Sequence, residues 1–274
     1  MPDTAAVTWQ NRTALVTGAS AGIGAAIARR LVAGGMRVIL TARRVERLNQ
    51  LAADLRARGG WAEVIAADLA SEAERTRLVD EVYGTGVEID VLINNAGFGW
   101  YGYYHDMPWQ TAREMLRLNV EAVIHLTALI LPGMKQRKLG RVVNIGSIAG
   151  DLPNQGIAMY SGSKAFLTAY TTALHRELVG TGVSACLIKP GPVKTEFFDS
   201  ADRLHNGWRV PAERYAIPAE KVADAAWQVL LHPRRMVYVP WYLGFSPWLE
   251  FLFSAVIDRL GPILLRQNAK KVRP

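Results

Sequence analysis

The sequence predicts an α/β fold, a doubly wound parallel sheet of about seven strands with helices on both faces, in a single domain that ends in a helical extension. Three observations predict it. Short apolar runs recur along the 274 residues, and stretches of helical length and composition separate them. The first run, "TALVTG", passes directly into the small-residue turn "TGASAGIG", Thr17 to Gly24, and then into the alanine-rich "AAIARRLVAGG". A strand, a glycine turn and a helix in that order are the opening of a βα unit.

The strand-like runs cover 13–18, 37–42, 63–68, 91–97, 141–147, 183–191 and 236–240. Each is short and apolar, and the alternation with helical segments demands parallel strands joined by crossovers. No Pro/Gly/Ser linker, repeat or low-complexity tract interrupts the pattern, so residues 1–274 read as one domain, with 241–274 as an apolar extension of it. Half of the residues are hydrophobic, enough for a sizeable core. The formal charge of +8 is scattered through helices and loops, apart from short clusters such as "ARR" and "KKVR", so a nucleic-acid partner is not expected. The single cysteine, Cys186 in "VSACLI", allows no internal disulfide and occupies a buried strand position, which fits a reducing, cytoplasmic setting. The start "MPDTAAVTWQNR" has neither the basic nor the apolar part of a secretory signal. The longest uncharged run, Met236 to Leu249, contains two prolines and a glycine, so no spanning helix is expected.

In such sheets ligands bind outside the carboxyl ends of the strands. At the first of these ends, Gly18, Ser20, Ala21, Gly22, Ile23 and Gly24 allow close backbone approach, and the following helix aims unpaired N–H groups and its positive dipole end outward. A phosphate suits that position; a tight turn without a ligand is the alternative. A dinucleotide bound there would bring its adenosine ribose to the end of the second strand, where Arg43 and Arg44 stand and no acidic residue does. Two guanidiniums match a 2′-phosphate and favour NADP over NAD, unless they are a solvated pair at a helix start. Asp68, followed by Leu69, ends the third strand and could accept from an adenine amino group or cap the helix "SEAERTRLVDEV". Asn95, Ala96 and Gly97 of "NNAG" end the fourth strand, as a cofactor contact or as a structural turn.

Ser147 ends the fifth strand, and Tyr160 and Lys164 follow within "MYSGSKAFLTAYTTALHREL". On a helix an i, i+4 pair shares one face, so the lysine ammonium can lie beside the phenol. A nearby cation favours phenolate and makes tyrosine usable as an acid/base group near neutrality.

"TGASAGIG", "NNAG", Asn119 in "RLNV", Ser147, "YSGSK" and "PGPVKT" stand in the order and spacing of the short-chain dehydrogenase/reductases, which the chain resembles over about residues 10 to 240. The resemblance implies a Rossmann-like three-layer sandwich and an NADP-preferring subgroup with a basic residue just after the second strand. It also implies four roles. Tyr160 is the general acid for carbonyl reduction, and Ser147 holds the substrate oxygen. Lys164 binds the nicotinamide ribose and lowers the tyrosine pKa, and Asn119 holds a water on a proton path. Pro190, Gly191, Val193 and Thr195 of "PGPVKT" form the nicotinamide-side loop, with Val193 and Thr195 at the carboxamide. The implied activity is NADPH-dependent transfer of hydride to or from a ketone, aldehyde or secondary alcohol; the family's usual assembly is a tetramer, and the extension from Trp241 makes a homodimer the expected one here. A non-catalytic NADP sensor is the competing class, and relatives of that kind are expected to lose the tyrosine or the lysine. An epimerase or dehydratase is disfavoured by the form of the glycine turn and by the absence of a larger C-terminal substrate domain.

Phe98, Trp100, Tyr101, Tyr103, Tyr104, Leu152, Pro153, Phe197 and Phe198 are the expected substrate lining, so the expected substrate is small and hydrophobic. Five dispersed histidines without ligand spacing give no reason for a metal. The extension departs from the family, which usually ends soon after the last strand. Ser246-Pro247 resembles an N-cap followed by the first helical position, and the helix expected from Trp248 to Leu260 has a narrow polar stripe of Glu250, Ser254 and Asp258. Its apolar remainder could cover a substrate cleft, a second subunit, a membrane surface assisted by Lys270, Lys271 and Arg273, or the core.

Overall fold

The computed structural model describes residues 8–196 and 216–272, with side chains described as far as residue 260. Seven parallel strands, β1 (Thr13–Thr17), β2 (Arg37–Thr41), β3 (Trp61–Val64), β4 (Val91–Asn94), β5 (Gly140–Ile145), β6 (Val183–Pro190) and β7 (Met236–Val239), form one sheet in the order β3-β2-β1-β4-β5-β6-β7. After β3 the chain crosses back beside β1 and builds the other half of the sheet, which leaves a crevice outside the carboxyl ends of β1 and β4.

Both sheet faces are covered, as near-continuous apolar strands require. On one side α1 (Gly22–Ala33), α2 (Val45–Ala57) and α7 (Ala219–Leu231) pack Ile27, Leu31, Leu48, Leu55, Val222 and Leu230 against the sheet. On the other, α3 (Glu72–Gly84), α5 (Ala122–Gln136) and α6 (Ala158–Glu177) contribute Leu78, Val82, Leu126, Ile130, Met134 and Leu174. Helix α4 (Trp109–Leu116) runs into α5 through a π-helical turn, Arg117–Glu121. Residues Trp109–Gln136 together are long and apolar enough to cross a membrane. Met115, Val123, Leu126, Ile130 and Met134 of this segment are buried inside the fold, whereas Trp109 and Leu116 are exposed.

Two expectations are corrected. The third strand begins earlier and is shorter than 63–68, because Arg37 stacks over the Trp61 ring at 4.0 Å and pairing starts there. Residues 65–67 still reach β2 through Ile65 N to Leu40 O and Ala67 N to Ala42 O. Ser246 is not an N-cap. A 3₁₀ turn, Trp241–Phe245, leads into α8 (Ser246–Val272), in which Ser246 is already helical and buried, and the helix runs beyond Leu260.

Candidate active site

The carboxyl ends of β1, β2, β4, β5 and β6 open into one cleft of about 1390 Å³, lined by Gly18, Ser20, Ala21, Gly22, Ile23, Arg43, Arg44, Asp68, Leu69, Asn95, Ala96, Gly97, Ser147, Tyr160, Lys164, Pro190, Gly191, Val193 and Thr195. Gly24 lies beneath it, where a Cβ would meet Gly18 O at 2.4 Å. Gly18 and Gly22 have positive φ, and a Cβ on Gly22 would meet the Thr195 methyl at 2.8 Å. The glycines therefore bring the turn onto both its own helix and the loop after β6. Helix α1 starts behind Ala21, which supplies no side-chain cap, and has no acidic residue in its first turn. Its first N–H groups face the cleft with the positive dipole end, a cradle that fits a pyrophosphate.

Arg43 is exposed on the cleft rim and pairs with none of the described residues. Arg44 is held: its Nε and Nη2 donate to Ser20 Oγ at 3.2 and 3.1 Å, and its Nη1 reaches Glu196 Oε2 at 2.7 Å. Arg47 bonds the other oxygen of the same carboxylate. The two arginines hold Glu196 below the usual carboxylate range through these hydrogen bonds, Arg44 first. Three guanidiniums and one hydroxyl at the end of β2 fit a 2′-phosphate. Sequence reasoning missed Arg47, a turn along α2 from Arg43, and Glu196, whose relevance depends on β6 returning to this corner.

Asp68 does not cap α3. Ser71 does, accepting from Glu74 N at 3.4 Å, while Asp68 Oδ1 accepts from Ala70 N at 3.1 Å and its carboxylate borders the cleft. In "NNAG" the amides serve the framework. Asn94 donates to Asn144 Oδ1 at 2.8 Å inside the sheet, and Asn95 Nδ2 donates to Thr17 O at 2.9 Å, fixing the glycine turn. Ala96 passes close to it, its Cα 2.9 Å from where a Cβ on Gly18 would stand, and a Cβ on Gly97 would meet Asn119 Oδ1 at 2.9 Å.

Asn119 sits in the π turn, 1% exposed, with its side chain fully engaged. Oδ1 accepts from Phe98 N at 3.0 Å, and Nδ2 donates to Phe98 O at 2.9 Å and Ser163 Oγ at 3.2 Å. In this structure it clamps the loop after β4 to α6. Ser147 accepts from Ala149 N at 3.1 Å and hydrogen-bonds the Tyr160 hydroxyl. Although the Tyr160 side chain is only partly covered, desolvation pushes its pKa up to about 12, with the Ser147 hydrogen bond acting the other way. Lys164 Nζ donates to Ile145 O at 2.9 Å and lies 5.7 Å from the Tyr160 ring centre, and burial lowers its pKa to about 8. Desolvation is thus the larger influence on the Tyr160 hydroxyl and the Ser147 hydrogen bond the opposing one, while the Lys164 ammonium lies over the ring. Gly150, after Ser147, approaches α6 so closely that a Cβ would meet Lys164 C at 2.8 Å.

Of the expected substrate lining, Phe98, Trp100 and Leu152 border the cleft, joined by Ile148 and Ile157. Tyr101 is buried, whereas Tyr104 and Pro153 are exposed away from it, and Tyr103 stacks on His105. Phe197 and Phe198 lie outside the described residues. A buried pair, Lys189 with Asp151, ends β6, and Tyr238 donates to Asp151 Oδ2 at 2.8 Å.

This sheet order, with a glycine turn on β1 and a serine, tyrosine and lysine cluster beyond β5, defines a dinucleotide-cleft oxidoreductase. The chain belongs to the short chain dehydrogenase family, whose model matches residues 12–205. It is similar to the NADP-dependent 3-hydroxy acid dehydrogenase YdfG of Salmonella typhimurium, 35% identical over 225 residues, which are 80% of this chain and 89% of that protein. It is also similar to the very-long-chain 3-oxoacyl-CoA reductase of Anas platyrhynchos, 37% identical over 190 residues, 67% of this chain and 60% of that one. Among solved structures, a short-chain dehydrogenase from Sphingobium yanoikuyae in complex with NADPH covers 96% of both chains at 28% identity, with a TM-score of 0.76.

Proposed function

We propose that this protein is an NADPH-dependent reductase of small hydrophobic ketones or aldehydes. The observation that carries the reading is the Ser147, Tyr160 and Lys164 cluster at the mouth of β5, facing the cleft that Phe98, Trp100, Leu152, Ile148 and Ile157 line with apolar surface. When bound, NADPH supplies the hydride. Arg43, Arg44, Arg47 and Ser20 would hold its 2′-phosphate, and the turn Gly18 to Ile23 its pyrophosphate. Ser147 orients a carbonyl oxygen beside the Tyr160 hydroxyl, which donates the proton as negative charge develops on that oxygen. A hydroxyl with its pKa raised to about 12 is protonated at neutral pH and can donate in reduction, whereas the reverse reaction begins from a phenolate. Lys164, charged below about pH 8, stabilises the tyrosinate that proton donation leaves. Relatives that act on 3-hydroxy acids and 3-oxoacyl-CoA support a carbonyl next to an alkyl chain. The testing experiment is NADPH oxidation over a series of ketones and aldehydes of increasing chain length. Turnover that rises with chain length and requires Tyr160 is expected, and the absence of turnover with tight NADPH binding would favour a sensor.

A further inference from the structure

Helix α8 is turned the unusual way round. Over Trp248–Leu260 the residues partly covered by the rest of the chain are Glu250, Ser254 and Ile257, whereas Trp248, Phe251 and Leu252 are 64%, 77% and 64% exposed. The turn before it adds exposed Trp241, Tyr242 and Phe245. Gln155 Nε2 donates to Ile257 O at 3.4 Å, so Glu250 and Ser254 lie toward the domain with Ile257, whereas Asp258, the third member of the polar stripe, is exposed. A contiguous apolar face of this kind on an outer helix marks a docking surface.

We propose that this face docks on an anionic lipid bilayer. Trp and Tyr open the patch and Phe and Leu continue it, the distribution of an interfacial helix whose rings sit at headgroup level. The charge is complementary: from Arg259 onward the sequence carries Arg259, Arg266, Lys270, Lys271 and Arg273 and no acidic residue, on a chain of net charge +8. Arg259 stands seven residues after Leu252 on the exposed face, next to exposed Asp258, and the four cations that follow it in sequence keep this end of the chain positive. At a bilayer the Arg259 stem lies along the tails and its guanidinium reaches phosphate oxygens.

The patch adjoins the cleft. Leu243 of the 3₁₀ turn packs on Gly191, and Gln155 belongs to the segment between the cleft residues Leu152 and Ile157. Docking therefore places the cleft mouth at the lipid surface, which, resting on the reductase reading, makes membrane-dissolved carbonyls its substrates.

The test is sedimentation of the full-length protein with phosphatidylcholine vesicles and with phosphatidylcholine–phosphatidylglycerol vesicles, read without turnover. Wild type is expected to bind the anionic vesicles and to lose several-fold in bound fraction at about 0.5 M salt. The doubly substituted Phe251→Glu/Leu252→Glu protein, altered only at exposed positions, is expected to lose binding at least tenfold while keeping its melting temperature and NADPH affinity. Absence of wild-type binding to either vesicle overturns the proposal, as does salt-insensitive binding equal on both. A wild-type dimer that the double substitution converts to monomer, with no vesicle binding, would assign the face to a second copy. Because vesicle binding is measured apart from catalysis, its failure leaves the reductase reading standing, and an inactive chain that binds vesicles leaves the docking standing.

Discussion

Tyr160 and Lys164 are shifted in opposite directions by the same cause. Burial penalises each charged form, raising the phenol to about 12 and lowering the ammonium to about 8. Lys164 is charged below its folded pKa and neutral above it, so kcat for carbonyl reduction is expected to fall as pH rises through about 8, while Tyr160 remains protonated throughout. Lys164→Arg, charged at every accessible pH, should move that limb upward; a wild-type profile flat to about pH 10 would contradict the assignment. Tyr160→Phe removes the donated proton and is expected to reduce kcat by roughly 10²–10⁴-fold with NADPH affinity nearly unchanged. At the other end of the cleft, Glu196 occupies Arg44 and Arg47, cations that a 2′-phosphate would share. Exposed pairs of this kind contribute about 0–1 kcal/mol. Glu196→Gln is therefore expected to tighten NADPH binding by up to about fivefold without changing NADH binding in fluorescence titration; weaker NADPH binding would show instead that Glu196 orients the arginines.

Two elements hold the cluster together by close backbone approach. The loop after Ser147 lies on α6 through Gly150, and the loop after β4 is tied to the π turn by both functions of the Asn119 amide. An added methyl at Gly150 meets main-chain atoms of Lys164, which cannot rotate away, so loop and helix must part. Gly150→Ala is expected to destabilise the fold by about 1–3 kcal/mol in urea unfolding and to reduce kcat more than it alters the NADPH dissociation constant. Equal effects on both would mean that the contact is merely structural. The resemblance pointed to Asn119 through its place in "RLNV", but the side chain's partners were not legible, because Phe98 and Ser163 come from two other elements.

Across the whole molecule, the β5 loop, β6 and β7 are joined at one buried point. Lys189, fully buried, meets Asp151, which also accepts from Tyr238. Desolvation lowers the lysine pKa and the Asp151 carboxylate raises it, so the ammonium depends on its partner. Removing one member of such a pair costs about 3–5 kcal/mol, because the other charge remains buried. Lys189→Met is expected to show that loss in denaturant melts, and Lys189→Met/Asp151→Leu to recover part of it.

Periodicity and turn chemistry determined the number and order of the strands and the glycine turn, since each depends on neighbours within a few residues or on the order of βα units, while the roles of Ser147, Tyr160 and Lys164 came from the resemblance. The third strand was misplaced because a cation over Trp61 moved its start, an interaction between two strands that local pattern does not contain. Only the tertiary structure decided which arginines share Glu196, which aromatic residues reach the cleft, and which side of α8 faces outward. In a helix the polar stripe is visible in the sequence, but the direction it faces depends on what lies against it, and here a carboxylate and a hydroxyl turn toward the domain while Trp248, Phe251 and Leu252 turn away.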